Sequence, residues 1–276
     1  MNMIEGTAAP CVVVGVDGSP AAVDAALWAI DEAIERDLPL RLVYVIDTSD
    51  DDTVDPQDQA RQLATAEVAV RYVLTAVEST ERPVKIEVEI LQGRPVEALL
   101  EASRTAVMLC VGARGLRHAT HGRIGSTATA LSKSARCPVA IVRAHRPHAN
   151  RDRAVVIEVD DNAAGSAVLH RGLEEAQRRH APVRVLAPAH TYADVQAHWE
   201  RRLDESRRRF PQLEISSVSR HGDALDYLAA NADAIQLVVT GRTRPGGLGA
   251  LVGAQGNAAL RDTDCSILVC GPHTAL

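Results

Sequence analysis

The stretch that decides the fold is "VGARGLRHATHGRIGSTATAL", residues 111–131. It starts where an aliphatic run ends at Gly112, and a helical pattern follows Ser126. Two residues separate Gly112 from Gly115, and nine residues lie between Gly115 and Gly125. Glycines let a ligand approach the main chain, and the amides at the start of a helix favour an anion. The stretch is therefore either a phosphate-binding loop or a glycine-rich turn before a capped helix.

The same stretch also carries side chains that suit a phosphate. The hydroxyl and guanidinium groups belong to Ser126, Thr127, Arg114, Arg117 and Arg123. His118 and His121 lie in the loop, but no cysteine or acidic residue beside them completes a tetrahedral set, so no metal site is predicted. Neither a Walker-type P-loop nor a G-x-G-x-x-G turn after the first strand is present in the sequence.

The chain contains the same pattern twice. Residues 12–33 resemble residues 155–176 at an offset of 143, and residues 109–115 resemble residues 238–244 at an offset of 129. The first half therefore has extra residues between its second and fourth strands. The acidic run at 47–59 is their predicted position, and it is interpreted as a surface loop or, alternatively, a gating loop.

In each half, short aliphatic runs alternate with amphipathic helical patterns. This alternation predicts an α/β fold with two tandem doubly wound parallel five-stranded sheets and helices on both faces. The predicted domains are residues 1–147 and 148–276. In such sheets, ligands bind at the carboxyl ends of the strands, near the switch in strand order.

Composition and charge disfavour several classes of protein. The net charge of -6 disfavours a nucleic-acid partner, and no apolar run reaches the roughly 20 residues that span a membrane. The N-terminal residues do not resemble a signal peptide, so the cytoplasm is the expected location. The five cysteines form no C-x-x-C pair and are predicted to be buried, reduced thiols.

Four segments together carry a family resemblance: "VVVGVDGSPAA" (12–22), "YVID" (44–47), the glycine spacing followed by Gly125-Ser126, and "CPVAIV" (137–142). With them the chain resembles the universal stress protein family, and in particular its tandem two-domain actinobacterial members. The G-2x-G-9x-G-[ST] spacing resembles that of the ATP-binding branch of the family. The resemblance covers nearly the whole chain.

The resemblance implies an ATP site in the first half. Asp17 would lie beside the adenosine, Gly15 would leave room for it, and Val45 would present its backbone to the adenine. Asp17 has an alternative interpretation, as the cap of the following helix. The residues implied for the ribose and phosphates are Gly112, Arg114, Gly115, Gly125, Ser126 and Thr127. A Mg or Mn ion would be bound through the phosphates rather than by protein ligands.

The second half departs from this pattern. Glu158 stands where the first half has Gly15, and Arg244 stands where it has Gly115. The position of Gly125-Ser126 is taken by Ala254-Gln255, or by Gly253-Ala254 if the loop has lost one residue. Either alignment removes the hydroxyl donor. The second half is therefore predicted to bind ATP poorly or not at all.

The resemblance, together with a motif that is intact in the first half only, implies an ATP-binding, nucleotide-dependent regulator of the stress response and no dedicated enzyme. The alternatives are a slow ATPase or nucleotidyl-transfer enzyme, and a scaffolding protein without bound nucleotide. The resemblance further implies that the last strands of the two halves pair edge to edge within the chain, and that two chains form a homodimer.

Overall fold

The computed structural model describes residues 9–48, 55–116, 123–146, 152–160, 164–188, 193–220, 223–260 and 263–271. Their contacts divide them into two compact units. Unit 1 contains the described residues up to 116 and residues 125–142, and unit 2 contains residues 123–124 and those from 143 onward. The predicted boundary between residues 147 and 148 lies outside the described residues and stays a prediction.

Unit 1 is a parallel five-stranded sheet with helices between its strands. Its elements are β1 (Cys11–Val16), α1 (Pro20–Glu35), β2 (Leu40–Asp47), α2 (Pro56–Glu78), β3 (Ile86–Gly93), α3 (Pro95–Ala102), β4 (Ala106–Gly112), α4 (Ser126–Ser134) and β5 (Val139–Val142). The strand order is β3-β2-β1-β4-β5, and all neighbouring strands are parallel. The order reverses between β1 and β4, which is where such sheets bind ligands.

Unit 2 repeats this topology. Its elements are β6 (Ala154–Glu158), α5 (Ala164–Arg179), β7 (Val183–Pro188), α6 (Ala193–Arg209), β8 (Ile215–Arg220), α7 (Ala224–Asn231), β9 (Ile235–Gly241), α8 (Leu248–Val252), α9 (Ala254–Ala259) and β10 (Ser266–Cys270). The order β8-β7-β6-β9-β10 is again parallel throughout. The predicted fold class, two tandem doubly wound sheets, is confirmed.

The extra residues of the first half are not confined to the acidic run at 47–59. Helix α2 has 23 residues and helix α6 has 17, so part of the length difference lies in the helix itself. The prediction placed all of the extra length in the loop at 47–59 because acidic and proline residues are typical of loops. An amphipathic helix, however, can gain turns without changing its pattern.

The cores are built from aliphatic strands and from small residues on the facing helix. Strands β1, β4, β6 and β9 are almost wholly buried and rich in valine, as expected for strands covered on both faces. Helix α1 buries a row of alanines toward the sheet. All five cysteines lie in the described residues, all are buried, and none forms a disulfide. Burial raises the pKa of the Cys265 and Cys270 thiols to about 12.

Among the described residues, no helix combines the length and the hydropathy that a membrane span requires.

Candidate functional site

A cavity of about 600 Å³ opens in unit 1 at the carboxyl ends of β1, β2 and β4. It therefore lies at the reversal of strand order, where the two diverging helix connections leave space above the sheet. All nine residues that the sequence implicated line it: Gly15, Asp17, Val45, Gly112, Arg114, Gly115, Gly125, Ser126 and Thr127. The fold thus brings together residues that are more than 100 positions apart in the sequence.

The start of helix α4 forms one wall of the cavity. Gly125 is its N-cap residue, and the Gly125 N–H donates to the Ala113 carbonyl over 2.8 Å, which anchors the helix start to the end of β4. Within the described part of the chain, the N–H groups of Ser126, Thr127 and Ala128 have no hydrogen-bond acceptor. These three residues line the cavity. Unsatisfied amides at a helix N-terminus carry partial positive charge, so this wall suits an anion.

Asp17 ties two loops of the cavity together. Its Oδ1 accepts the Ser19 N–H over 3.0 Å, and its Oδ2 accepts the Leu116 N–H over 3.2 Å. The turn after β1 is therefore fixed to the loop after β4 through one carboxylate. A carboxylate oxygen with one donor can accept a second hydrogen bond, so Asp17 keeps the capacity to bind a ligand hydroxyl.

Ser19 is the cap of helix α1, a residue that the sequence interpretation missed. The Ser19 Oγ accepts the Ala22 N–H over 3.2 Å and donates to the Arg114 carbonyl over 3.3 Å. The alternative that made Asp17 the helix cap is therefore wrong. The sequence did contain the signal, because Ser19 precedes Pro20 at the first helical position, an arrangement typical of a helix start.

The two glycines after β4 serve different purposes. A Cβ atom added at Gly115 would lie 2.6 Å from the Asp17 Oδ2, so a side chain here would displace the carboxylate. A Cβ atom added at Gly112 would lie 2.7 Å from the Ala21 carbonyl carbon in helix α1. Gly112 is thus required for the close approach of β4 and α1, whereas Gly115 leaves room for Asp17.

Helices α2 and α3 add lining residues that no sequence motif indicated. They are Arg61, Gln62 and Thr65 from α2, and Pro95 and Leu99 from α3. Arg61 pairs with Asp58 over 3.1 Å, and both side chains are mostly exposed. Their position over the cavity depends on how α2 and α3 pack on the sheet, which the helical pattern alone does not specify.

The stretch at 111–131 contains further arginine and histidine residues. Arg123 is exposed and is not among the residues that line the cavity. Arg117, His118 and His121 lie outside the described residues. Across the described ranges, no group of three or more His, Cys, Asp or Glu side chains is arranged to hold a metal ion.

The equivalent position in unit 2 can be located from the strand register. Gly15 of β1 stands beside Val111 of β4 and Val43 of β2. Glu158 of β6 stands in the same way beside Thr240 of β9 and Leu186 of β7. The backbone positions of Gly15 and Glu158 therefore correspond in the two sheets.

In unit 2 this position is filled by an ion pair. Arg244 donates from Nε to the Glu158 Oε2 over 2.6 Å and from Nη2 to the Glu158 Oε1 over 3.0 Å. The Thr240 hydroxyl donates to the Glu158 Oε2 over 2.9 Å, and Arg244 Nη2 also reaches the Asp223 Oδ1 over 3.0 Å. The Arg244 and Glu158 side chains are 0% and 2% exposed. Burial alone would lower the pKa of Arg244, but hydrogen bonds and charge from Glu158 and Asp223 raise it above its ordinary value.

The helix that corresponds to α4 has also changed. Helix α9 begins at Ala254 with Gly253 as its N-cap residue, so Gly253-Ala254 takes the place of Gly125-Ser126. The structure thus agrees with the alignment in which the loop has lost one residue. The hydroxyl that Ser126 supplies in unit 1 is absent at Ala254.

Together, the fold and the cavity define a doubly wound α/β protein with a cavity at the switch in strand order. The model of the universal stress protein family matches residues 11–143. The universal stress protein Rv2028c of Mycobacterium tuberculosis is 46% identical over 268 residues, which cover 95% of this chain and 96% of that protein. The chain belongs to the universal stress protein family, and its relative has the same tandem length.

Solved structures agree on the fold. A universal stress protein from Archaeoglobus fulgidus superposes with a TM-score of 0.71 at 16% sequence identity, covering 95% of this chain and 96% of that one. Another universal stress protein, solved in complex with cAMP, covers 49% of this chain with a TM-score of 0.40. That overlap is too low to transfer its ligand to the present chain.

Proposed function

We propose that unit 1 binds ATP and that the protein acts as a nucleotide-dependent regulator of the stress response. The observation that carries the proposal is the start of α4, where the N–H groups of Ser126, Thr127 and Ala128 lack acceptors among the described residues and line the cavity. Three amides with a helix dipole behind them favour phosphate over a neutral ligand.

The cavity also fits the other parts of a nucleotide. Its volume of about 600 Å³ lies within the range of roughly 300–1,000 Å³ that is usual for small-molecule sites. Val43, Val45 and Leu99 supply an apolar wall for a purine, and the exposed Arg114 supplies positive charge beside the helix start. Asp17, fixed by two backbone donors, keeps a lone pair for a ribose hydroxyl.

A divalent ion, Mg or Mn, would accompany the nucleotide through its phosphates. The cavity carboxylates, Asp17 and Asp47, lie at the ends of neighbouring strands, and no described three-residue cluster could replace phosphate as the principal ligand. When bound, the ion would offset phosphate charge. Metal affinity should therefore depend on the nucleotide being present.

Regulation rather than catalysis is proposed because the polar groups of the cavity are held by the fold. The Asp17 carboxylate links the turn after β1 to the loop after β4, so a ligand that contacts it also stabilises both loops. A ligand shifts a protein toward the conformation that it binds more tightly. Edge pairing of the last strands and homodimer formation stay predictions from the family resemblance, and native mass spectrometry tests the dimer. Cytoplasmic location stays a prediction from the N-terminal residues and the apolar runs of the sequence.

Unit 2 is proposed to bind no ATP. Glu158 and Arg244 occupy the corresponding position, and they satisfy each other with two hydrogen bonds. A nucleotide would have to break a buried ion pair and bring its phosphates beside a buried carboxylate. We therefore expect one ATP per chain.

The test is isothermal titration with ATP on the full-length protein, supported by native mass spectrometry of the protein as purified. Ser126→Ala should weaken binding by about 10- to 100-fold, the value of one hydrogen bond to a charged group. Asp17→Ala should abolish measurable binding while the fold is kept. Ser134→Ala is the matched control, because Ser134 is exposed at the other end of the same helix.

Unchanged ATP affinity in both the Ser126 and Asp17 variants would reject the site. A stoichiometry of two would reject the assignment of unit 2. Phosphate release above background that disappears with Ser126→Ala would show that the protein is a slow ATPase instead of a regulator alone.

A further inference from the structure

Unit 2 has a second concave feature, a groove between helices α5 and α6 with a volume of about 200 Å³. Its α5 side is formed by one helical face: Ser166, Leu169, His170 and Leu173. Its α6 side consists of Arg202, Glu205, Ser206, Arg209 and Phe210. Leu169, Leu173 and Phe210 are buried and make an apolar floor, whereas the polar side chains form the walls.

Two arginines of this groove lack the acidic partners that other arginines of the same helices have. Arg171, Arg178 and Arg179 all pair with the buried Glu175, and Arg207 pairs with Asp204. In contrast, neither Arg202 nor Arg209 has a carboxylate within ion-pair distance among the described residues. Glu205 also lines the groove, and its charge acts on Arg202 without forming an ion pair with it.

Aromatic rings hold both guanidinium groups near the groove. Arg202 lies over the Trp199 ring at 4.7 Å, and Arg209 lies over the Phe210 ring at 5.7 Å. Arg202 also donates to the Ser166 hydroxyl across the groove. Burial lowers the pKa of Arg202, and the charge of Glu205 opposes this effect only in part. A guanidinium has five N–H donors, so Arg202 keeps donors for a ligand.

The corresponding face of unit 1 does not have this character. The α1 positions that match Ser166 and His170 are Val23 and Leu27, at the offset of 143 that relates α1 and α5. Helix α1 packs directly against α2 in unit 1. Ser166 and His170 therefore occur only in unit 2, in which Glu158 and Arg244 form an ion pair at the position that corresponds to Gly15 in unit 1.

We propose that the groove between α5 and α6 binds a small organic anion that consists of a carboxylate or phosphate group on a planar apolar ring. Arg202 and Arg209 would pair with the charged group, and the ring would contact Leu169, Leu173 and Phe210. Guanidinium groups recognise both oxyanions through paired N–H donors. The volume of about 200 Å³ is below the usual range for nucleotide-sized ligands, so the ligand must be smaller than ATP.

The test uses phenyl phosphate, benzoate and inorganic phosphate as probes of the full-length protein. A Trp28→Phe background leaves Trp199 as the remaining tryptophan, so its fluorescence reports on the groove. Phenyl phosphate or benzoate should give a saturable change, and inorganic phosphate should bind more weakly because it lacks the ring. Saturation-transfer NMR of the ring protons provides a second readout that does not depend on Trp199.

Arg202→Gln should weaken binding of the ring-bearing probes at least about tenfold, a loss of about 1.4 kcal/mol or more. Arg201→Ala is the matched control, since Arg201 is exposed on the same helix and does not line the groove. Binding should persist in Ser126→Ala, which separates this site from the proposed ATP site. Equal affinity in the Arg202 and Arg201 variants would overturn the proposal, as would inorganic phosphate binding as tightly as phenyl phosphate.

Discussion

The two units differ most at one equivalent pair of positions. In unit 1, Gly15 in β1 and Gly115 in the loop after β4 have no side chains, and both line a cavity of about 600 Å³. In unit 2, Glu158 and Arg244 stand at these positions and form a buried ion pair. The strand register is the same in both. At equivalent positions, one unit therefore has glycines beside a cavity and the other has a buried ion pair.

Unit 2 also shows what is needed to bury two charged side chains at this position. Two ions lose their hydration when they are buried, and their attraction offsets this only with good geometry and further hydrogen bonds. Unit 2 supplies both, through the paired N–H groups of Arg244, the Thr240 hydroxyl and the Asp223 carboxylate. Asp223 caps helix α7, so the network also fixes that helix.

The largest expected effect comes from breaking this pair. Glu158→Ala would leave the Arg244 charge buried with only the half-buried Asp223 beside it, and we expect a loss of about 3–5 kcal/mol from the unfolding free energy of unit 2. Replacing both residues with apolar ones, Glu158→Leu with Arg244→Met, should recover most of that loss. Urea unfolding followed by Trp199 fluorescence in a Trp28→Phe background measures both.

Glu214→Ala is the control for this experiment. Glu214 pairs with Arg184 at the surface of the same unit and is 74% exposed, so its loss should cost less than about 1 kcal/mol. If Glu158→Ala lowered the unfolding free energy no more than Glu214→Ala, the Glu158–Arg244 pair would not stabilise unit 2, contrary to the prediction.

A smaller loss of stability should appear in unit 2 at low pH, because of a second buried acid, Glu175. Burial raises the pKa of Glu175, but the charges of Arg179, Arg178 and Arg171 outweigh it and lower that pKa to about 2. The ordinary value is 4.5, so the unfolded chain binds the proton more tightly than the folded one. The stability from this carboxylate is therefore complete above pH 4.5 and is lost as the pH falls toward 2.

The loss amounts to at most about 3 kcal/mol for one group. Unfolding free energies of unit 2, measured from neutral pH down to about pH 3, should fall more steeply in the parent protein than in Glu175→Gln. Glu32 of α1 occupies the equivalent position in unit 1, with Arg36 as its ion-pair partner. The unfolding free energy of unit 1, measured over the same pH range through Trp28 fluorescence, compares the two units at this equivalent position. Parallel pH profiles for the parent and Glu175→Gln would contradict the assignment.

The smallest effect tests how much room the open site has. Gly115→Ala would bring a Cβ atom within 2.6 Å of the Asp17 Oδ2, so the carboxylate or its loop must move. We expect ATP affinity to fall about tenfold, with the unfolding free energy of unit 1 changed by less than about 1 kcal/mol. Gly249→Ala in unit 2 is the matched control, because a Cβ atom there meets no atom within 4 Å. Equal ATP affinity in the two alanine variants would show that Asp17 does not position the ligand.

Much of the fold followed from the sequence because its signals are local and repeated. Valine runs that alternate with amphipathic patterns predicted both sheets, and the offsets of 143 and 129 related the two halves. The glycine spacing after β4 indicated the residues that now line one cavity. The sequence also contained the signal for the helix cap at Ser19, a serine before a proline. It was missed because Asp17, two residues earlier, is also a residue type that caps helices.

Other parts of the site carried no sequence signal. The contribution of Arg61, Gln62 and Thr65 depends on the angle at which α2 crosses the sheet, and no motif encodes that angle. The packing role of Gly112 depends on the approach of Ala21 from a helix about 90 positions earlier. Side chains of this kind become neighbours only when distant elements pack together.

The sequence by itself determined the repeated topology, the position of the glycine-rich loop and the replacement of Gly15 and Gly115 in the second half, because these depend on the order and spacing of residue types. Tertiary structure alone decided that Glu158 and Arg244 neutralise each other. It also decided that Asp17 holds two loops and that the amides of α4 remain available beside a cavity. These features depend on distances of about 3 Å between groups far apart in the chain, and only packing sets such distances.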